Sequence, residues 1–387
     1  MSSILIITQY FPPETGAASN RISQLANGLQ STGFNTTVLT PLPNYPTGRI
    51  FEDYKHHKQP EINEKGAKIY RLWIYPSNSK NKLLRLFSML SYSLSLIWFF
   101  ISHKIPNKVI IQSPPLIVAF TAVLFLRKKK RKIILNVSDL WPLAGLELDA
   151  LKRNFSYKIL EQIERFNYRN SDLILGQSEE IIAHIKSISP QTPGILYRNF
   201  PDFEAPKLHD QPEKHHKIKL VYAGLLGVAQ GILELCRHID TTNIEFHIYG
   251  SGQEAEAIES YIQQQKNSAI FYHGHLSRND LHKVLIQYDL TIVPLLTRIY
   301  GSVPSKIFEF AKLGLPVLYF GGGEGEDLVK KHELGWVAAP GDYKGLNAII
   351  NSFDKNLISK ERKEKLRIVS EIHFDFKKQL QQLVNVI

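Results

Sequence analysis

A single cysteine, Cys236, in 387 residues leaves no partner for a disulfide framework, and no Cys/His cluster has the spacing of a zinc site. A reducing cytoplasm fits that usage best. The opening residues, MSSILIITQYFPPE, lack a basic stretch followed by an apolar one, so they read as a strand running into a loop and not as a secretion signal. There is no short tandem repeat and no low-complexity segment. No helix-turn-helix, zinc or RNP-like signature is found, which argues against nucleic acid as a partner. No Asp-x-Asp pair is available to ligate a metal. Apolar material, by contrast, is ample: hydrophobic residues make up 43% of the chain, enough for real cores. The length suits two domains of about 150–200 residues each.

Charge is distributed unevenly. Residues 1–203 carry 25 Lys+Arg and 14 Asp+Glu, a net of +11, whereas residues 204–387 carry 22 of each. All the excess positive charge therefore lies in the first half. Such asymmetry points to nucleic acid, an anionic membrane surface or a phosphorylated ligand; ordinary solubilising charge would be spread more evenly.

Short β-rich runs recur along the chain. They are SSILIIT (2–8), NTTVLTP (35–41), KIYRLWIY (68–75), KVIIQS (108–113), KIILNVSD (132–139), LILGQS (173–178) and GILYRNF (194–200). Helical patterns separate them, the first with Ile22, Leu25, Ala26 and Leu29 at spacings of three and four and a stop at Gly33. After a polar connector, DQPEKHHK (210–217), the rhythm restarts with KLVYAG (219–224), EFHIYGSG (245–252), AIFYHG (269–274), LTIVPL (290–295), PVLYFGG (316–322) and GWVAA (335–339). Strands alternating with helices predict parallel α/β sheets, here two doubly wound, Rossmann-like domains in series. Ligands on such sheets sit at the C-terminal ends of strands, so two facing domains are expected to form a central cleft.

Two segments invite a membrane reading. LLRLFSMLSYSLSLIWFFI (83–101) is long and almost uncharged, with Lys80 and Lys82 before it and His103 and Lys104 after it. Arg85, Ser88, Tyr92 and Ser95 form a thin polar stripe, which suits an amphipathic helix lying on a membrane face with Trp98 as an anchor. A buried helix of the first domain and a true span are the alternatives. RKKKRK (127–132) follows the apolar IVAFTAVLFL (117–126) and suits anionic lipid head groups, at roughly 1 kcal/mol per basic residue near the surface. A solvated charge run is its plainer explanation.

The chemistry concentrates near residue 300. Pro304, Ser305 and Lys306 begin a helix that carries Glu309, and a helix N-terminus offers unpaired N–H groups to an anion. Glu309 suits the two hydroxyls of a ribose diol, unless Lys306 and Glu309 are merely a surface pair three residues apart. In the first domain Asp139 follows a strand and so stands at its C-terminal end. It is a candidate general base or acceptor-orienting group; the alternative is that it caps the next helix.

An ordered series of segments resembles retaining glycosyltransferases of family 4, which have the GT-B fold. The segments are YFPPE (10–14), the Gly16 loop, DLWP (139–142), YRNFPD (197–202), AGLLGVAQG (223–231), YGSGQE (249–254), VPSKIFEFAKLGLPV (303–317), GGGEGEDLV (321–329) and GWVAAPGD (335–342). The resemblance is nearest to the subgroup that builds O-antigen and capsule repeat units, including N-acetylfucosamine transferases. It implies an acceptor-binding, membrane-associated domain over 1–203, joined by a C-terminal helix at about 370–387, and a nucleotide-sugar donor domain over 204–369.

Residue by residue, the resemblance makes Glu309 the second acid of the family's E-x7-E motif, which holds the donor ribose. The first acid falls at Gly301, and Leu225 and Gln230 stand where many relatives carry an Arg and a Lys. The donor diphosphate is then expected at Gly224, Gly227, Ser305, Lys306 and Arg298, and the nucleobase at Gly250 and Leu276. Glu14, Gly16 and Glu324 are expected near the donor sugar and acceptor, with Asp139 catalytic. No obligatory metal or other cofactor is implied.

The expected activity is retaining transfer of a sugar, an N-acetylated aminosugar, from a UDP-linked donor to a polyprenyl-diphosphate-linked acceptor in bacterial surface polysaccharide assembly. The expected place is peripheral, on the cytoplasmic face of the inner membrane. A GT-B epimerase or phosphorylase acting on a soluble sugar, and a non-catalytic scaffold that binds nucleotide-sugars, are the rival readings.

Overall fold

The computed structural model describes residues 2–56, 59–79, 81–208, 217–265, 269–353 and 359–387. Lys80 and all of the 210–217 connector except Lys217 lie outside them. The chain forms two compact units. Unit 1 comprises Met1–Asn199, Ile299–Gly301 and Lys377–Ile387, and unit 2 comprises Phe200–Arg298 and Ser302–Phe376.

The change of unit comes four residues earlier than the expected 203/204. Phe200 and Phe203, partly buried, pack against the core of unit 2, Phe200 lying edge-on to Phe308 at 5.1 Å. The return to unit 1 starts at Lys377, later than about 370, because Leu366 and Phe374 are buried in that same core.

Unit 1 contains β1 (Ser3–Ile7), α1 (Ala17–Ser31), β2 (Asn35–Pro41), β3 (Glu61–Ile62), β4 (Lys68–Leu72), α2 (Lys82–Ser102) and β5 (Lys108–Ser113). There follow α3 (Leu116–Leu126), β6 (Lys132–Val137), α4 (Leu143–Glu147), α5 (Phe155–Arg169), β7 (Leu173–Gly176), α6 (Glu179–Ile188) and β8 (Gly194–Leu196). The strands lie in the order β3-β4-β2-β1-β5-β6-β7-β8, and only the β3–β4 pair is antiparallel. Covered on both faces, the central strands are near-continuous apolar runs such as Ile4–Ile7 and Val109–Ile111, all buried.

Unit 2 contains β9 (Ile218–Ala223), α7 (Ile232–His238), β10 (Ile244–Tyr249), α8 (Ala255–Gln264), β11 (Ile270–Tyr272), α9 (Arg278–Leu285) and β12 (Leu290–Pro294). It continues with α10 (Lys306–Leu313), β13 (Val317–Phe320), α11 (Glu324–Lys331), β14 (Gly335–Ala338), α12 (Tyr343–Asn351) and α13 (Lys360–His373). Its sheet is wholly parallel in the order β11-β10-β9-β12-β13-β14. Alternate residues feed two cores: Leu220, Tyr222, Ile292, Leu318 and Phe320 on one face, Val221, Ala223, Val293, Val317 and Tyr319 on the other. The last helix, α14 (Phe376–Val386), joins unit 1, where the Gln379 amide accepts from Arg198 N–H at 2.8 Å and donates to its carbonyl at 2.9 Å.

The 83–101 segment is helix α2, with Asn81 capping it by accepting from Leu83 N–H at 2.9 Å. Ser88 and Tyr92 of its polar stripe are buried against the protein, whereas Arg85 is exposed. The Tyr92 hydroxyl is buried between the carbonyls of Thr8 and Leu39, at 3.0 and 3.1 Å. Ser91 Oγ accepts from Tyr75 N–H at 2.8 Å, and Ser95 Oγ donates to the Trp73 carbonyl at 2.7 Å. These hydroxyls satisfy main-chain groups at the ends of β1, β2 and β4, so the helix is locked to the sheet by its polar residues.

Tyr92→Phe removes the one proton shared between those two carbonyls and is expected to cost about 1–2 kcal/mol, since a buried acceptor is left poorer. A urea melt should show a lower midpoint at unchanged slope; an unchanged midpoint would mean the hydroxyl anchors nothing.

Candidate functional site

In each sheet the strand order reverses once, between β1 and β5 in unit 1 and between β9 and β12 in unit 2. Such reversals splay neighbouring crossovers to opposite faces and open a crevice at the strand ends. In unit 2 the loops after β9, β10 and β11 are laced together there. Gly224 N–H donates to Tyr249 O at 3.0 Å, Leu226 N–H to Ser251 O at 2.9 Å and Gly250 N–H to Gly274 O at 2.8 Å. Gly250 has φ 146°, and a Cβ on it would lie 1.8 Å from Gly224 O, so no other residue permits this crossing.

That lacing corrects one expectation: the Gly224 N–H serves the fold and is not open to a phosphate. The N–H groups of Leu225 and Gly227 have no partner among the described residues. Beside them is a cavity of about 230 Å³ lined by Gly224, Leu225, Gly250, Ser251, His275, Leu276 and Lys306, with Tyr249 and Leu281 behind. It is smaller than the ~300–1,000 Å³ of most small-molecule sites, the size of a subsite. Of the residues expected around a donor, the structure gathers Gly224, Gly250, Leu276 and Lys306 on this wall. Gly227, Ser305 and Arg298 do not line it.

Lys306 opens α10, whose N-terminal position is taken by Ser305 with no side-chain cap. One turn on, Glu309 is buried with its carboxylate between cations. Lys306 Nζ lies 3.0 Å from Oε2, His282 Nε2 donates to Oε1 at 2.7 Å, and Arg278 Nε stands 4.0 Å from Oε1. Burial alone pushes this carboxyl up; Lys306, His282 and Arg278 together overcome it and hold it at about 2. The pair is therefore no mere surface ion pair. A carboxylate has about four acceptor positions, so it retains capacity for hydroxyl donors.

His282 and Arg278 were not singled out from the sequence. They sit four apart on α9, both against the Phe203 ring, with the His282 ring 4.1 Å away centroid to centroid. Their link to Glu309 spans 27 residues or more and leaves no local signal.

Arg298 lies against the start of α11: a Cβ on Gly323 would sit 2.8 Å from Arg298 Nε. Glu324, expected near the donor sugar and acceptor, is the buried first residue of that helix, and Glu326 pairs with Lys330 at 2.6 Å. A carboxylate in a first turn meets the positive end of the helix dipole.

In unit 1, Glu14 departs from its expected role. Its Oε1 accepts from the N–H groups of Asn44 and Tyr45 at 2.8 and 2.9 Å, and Oε2 from Phe11 N–H at 3.4 Å, so it ties two loops together. Burial pushes this carboxyl up against those three donors. Gly16, with φ 142°, takes the N-terminal position of α1.

Asp139 is half-buried just past β6. Burial pushes its carboxyl up, opposed by the Arg21 guanidinium and by the Ser138 hydroxyl at 3.2 Å. It caps no helix, since Pro142 takes the N-cap position of α4 and no side chain caps it. Arg21, unnoticed in the sequence, donates through Nη1 to Gln177 Oε1 at 2.6 Å, while its Nε and Nη2 have no partner among the described residues. Gly301, where the first acid of the E-x7-E pattern would fall, has φ 84°, donates its N–H to Glu180 Oε2 at 2.7 Å, and would place a Cβ 2.8 Å from Ile181. An acid at that position has neither the backbone nor the room.

The family model described as Glycosyl transferases group 1 matches residues 217–356, and that described as Glycosyl transferase 4-like domain matches residues 16–191. No curated protein matches the chain by sequence. Among solved structures, a sucrose-phosphate synthase from Thermosynechococcus elongatus is similar at TM-score 0.78 and 12% identity, covering 100% of this chain and 98% of its own. WaaG, a glycosyltransferase involved in lipopolysaccharide biosynthesis, is similar at 0.67 and 12%, covering 99% of each chain. Anabaena Alr3699/HepE, in complex with UDP and glucose, is similar at 0.66 and 13%, covering 100% of this chain and 99% of its own.

Because the Glu309 carboxyl is held at about 2 in the folded chain against 4.5 ordinarily, its ion pairing stabilises the fold fully above about pH 4.5 and less as pH falls toward 2. Wild type should therefore out-melt Glu309→Gln at pH 7, with the gap closing between pH 5 and pH 3. Parallel melting curves across that range would show that the cations do not hold the carboxylate.

Proposed function

We propose that the chain, whose two units each match a glycosyl transferase family model, is a GT-B glycosyltransferase that moves an N-acetylated aminosugar from a UDP-linked donor to a polyprenyl-diphosphate-linked acceptor. The product feeds a bacterial surface polysaccharide, O-antigen or capsule, in the manner of the N-acetylfucosamine-transferase subgroup. The observation that carries this reading is the Lys306–Glu309 pair at the start of α10, beside the cavity at the laced ends of β9 and β10. Alr3699/HepE was solved with UDP-glucose, which supports a UDP-linked donor. WaaG acts in lipopolysaccharide biosynthesis, which supports a lipid-linked acceptor, as does the +11 charge of residues 1–203.

The chemistry follows from where charge develops. Breaking the bond between the anomeric carbon and the donor phosphate leaves negative charge on the departing diphosphate. Lys306 and the open N–H groups of Leu225 and Gly227 meet that charge without reorganising. Arg298, at the start of α11, is the second cation. Glu309 accepts the ribose hydroxyls, and Gly250 and Leu276 border the base.

The acceptor hydroxyl attacks the anomeric carbon on the face the diphosphate leaves, so configuration is retained. Its proton passes to Asp139 or to the departing phosphate oxygen. Burial raises the affinity of Asp139 for that proton, which suits it to the part. No metal is invoked, since side-chain cations supply the charge. The work is done at the cytoplasmic face of the inner membrane, by a peripheral enzyme.

Nucleoside diphosphates test the reading directly. At one hundred times its Kd, UDP should stabilise the wild type by about 2.7 kcal/mol, seen as a raised Tm, with GDP and dTDP weaker. Glu309→Ala should abolish the shift. Asp139→Ala should keep the shift yet lose transfer to a lipid-linked acceptor by about 100-fold or more. If UDP shifts nothing, the donor assignment fails; a shift with no transfer by wild type favours a binding scaffold.

A further inference from the structure

Helix α2 turns its apolar side outward. Leu83, Phe87, Leu90, Leu94, Trp98 and Ile101 follow one another at steps of four and three, a single stripe along the helix. All are exposed, with Leu83, Leu94, Trp98 and Ile101 at 73, 66, 73 and 74%. The stripe continues sideways onto exposed Trp73 and Tyr75, Tyr75 lying edge-on to Phe87 at 5.1 Å, and onto Leu124 and Phe125 at the end of the neighbouring α3. Exposed apolar patches of this extent mark interaction surfaces.

Charge selects the occupant. Residues 65–138 contain 14 Lys+Arg and no Asp or Glu. Lys82 and Arg85 near the start of α2, Lys104 just past its end, and Arg127, Lys128, Lys129 and Lys130 past α3 are all exposed. A second copy of this chain would bring an equal positive field to the contact and be repelled. An anionic lipid leaflet offers an apolar interior and negative head groups together. At 21 residues α2 is long enough to cross a bilayer, yet its other face is buried and held by Tyr92, Ser91 and Ser95. A helix so held lies in the plane of the membrane.

We propose that α2 enters one anionic leaflet side-on, its stripe from Leu83 to Ile101 below the head groups, Trp98 at the boundary and the basic residues after α3 on lipid phosphates. The proposal rests on the membrane-surface reading above and names the element and face that perform it.

The test uses the full chain with vesicles of equal phosphatidylglycerol and phosphatidylcholine, against phosphatidylcholine alone. Wild type should co-sediment with the anionic vesicles at low salt, and its tryptophan emission should shift to the blue. Trp98→Phe should lose most of that shift. The double variant Leu94→Glu, Trp98→Glu should bind at least tenfold more weakly. Lys128→Ala, Lys129→Ala, Lys130→Ala together should bind about 100-fold more weakly. Circular dichroism melts check that each variant is folded; all the changes are at exposed positions. If wild type binds and the Leu94, Trp98 variant binds equally well, the α2 proposal is overturned while the membrane reading survives. If wild type binds neither vesicle, both fall; a dimer that the variant dissociates would name a second copy as the occupant.

Discussion

Parallel strands cannot be joined by a tight turn, and nearly everything about this molecule follows from that. Each parallel pair needs a crossover, so the loops that leave the parallel strands open on the same edge of their sheet. In unit 2 this brings the loops after β9, β10 and β11 side by side, close enough that three main-chain hydrogen bonds lace them. The lacing demands Gly250, and it leaves a small cavity whose far wall is the start of α10. The cavity is thus a by-product of sheet topology, and the chain's chemistry is placed where topology provides room.

What makes that room selective is electrostatic. A carboxylate buried as deeply as that of Glu309 would ordinarily take up a proton. It stays ionised because Lys306 reaches it along its own helix and His282 and Arg278 reach it from α9. The same Lys306 lines the cavity, so one ammonium neutralises a fixed carboxylate and faces incoming anions. Asp139 in unit 1 is the opposite case. With Arg21 as its opposing cation and a serine hydroxyl beside it, burial wins and its proton affinity rises. Two acids displaced in opposite directions from their ordinary range, Glu309 buried and Asp139 half-buried, are suited to different tasks: one to accept hydroxyls as a permanent anion, the other to exchange a proton.

The alternation of apolar runs placed every long strand, because strands covered on both faces must be apolar throughout. It missed β3, two residues long and antiparallel at the sheet edge, where no apolar run is required. At the site, Lys306 and Glu309 were readable because they share one helical turn. His282, Arg278 and Arg21 were not, since their partners lie far off in sequence and nothing local marks them. Glu14 and Gly224 show a further limit: a conspicuous acid and a conspicuous glycine both turned out to hold loops in place. Periodicity tells which residues share a face; it does not tell whether a polar group on that face serves a ligand or the backbone.

Helix α2 carries the same lesson to the surface. The polar stripe of Arg85, Ser88, Tyr92 and Ser95 marks one side of an apolar helix without telling what that side faces. Hydroxyls are small, and they reach main-chain groups near strand ends, such as the Thr8 carbonyl and the Tyr75 N–H. Turned inward, Ser91, Tyr92 and Ser95 bond main chain near the ends of three strands. Leucines turned inward would take these partners from the Thr8 carbonyl and the Tyr75 N–H, while the Leu39 carbonyl would keep the Thr8 N–H. The inward choice therefore stabilises the fold even in the absence of any membrane. Its consequence is that the apolar side must face out, and no acidic residue between Glu64 and Asp139 offsets the surrounding positive charge. Tyr92 on that helix bonds the Thr8 carbonyl just past β1, so the outward apolar face is fixed in position relative to the strand that leads to Gly16.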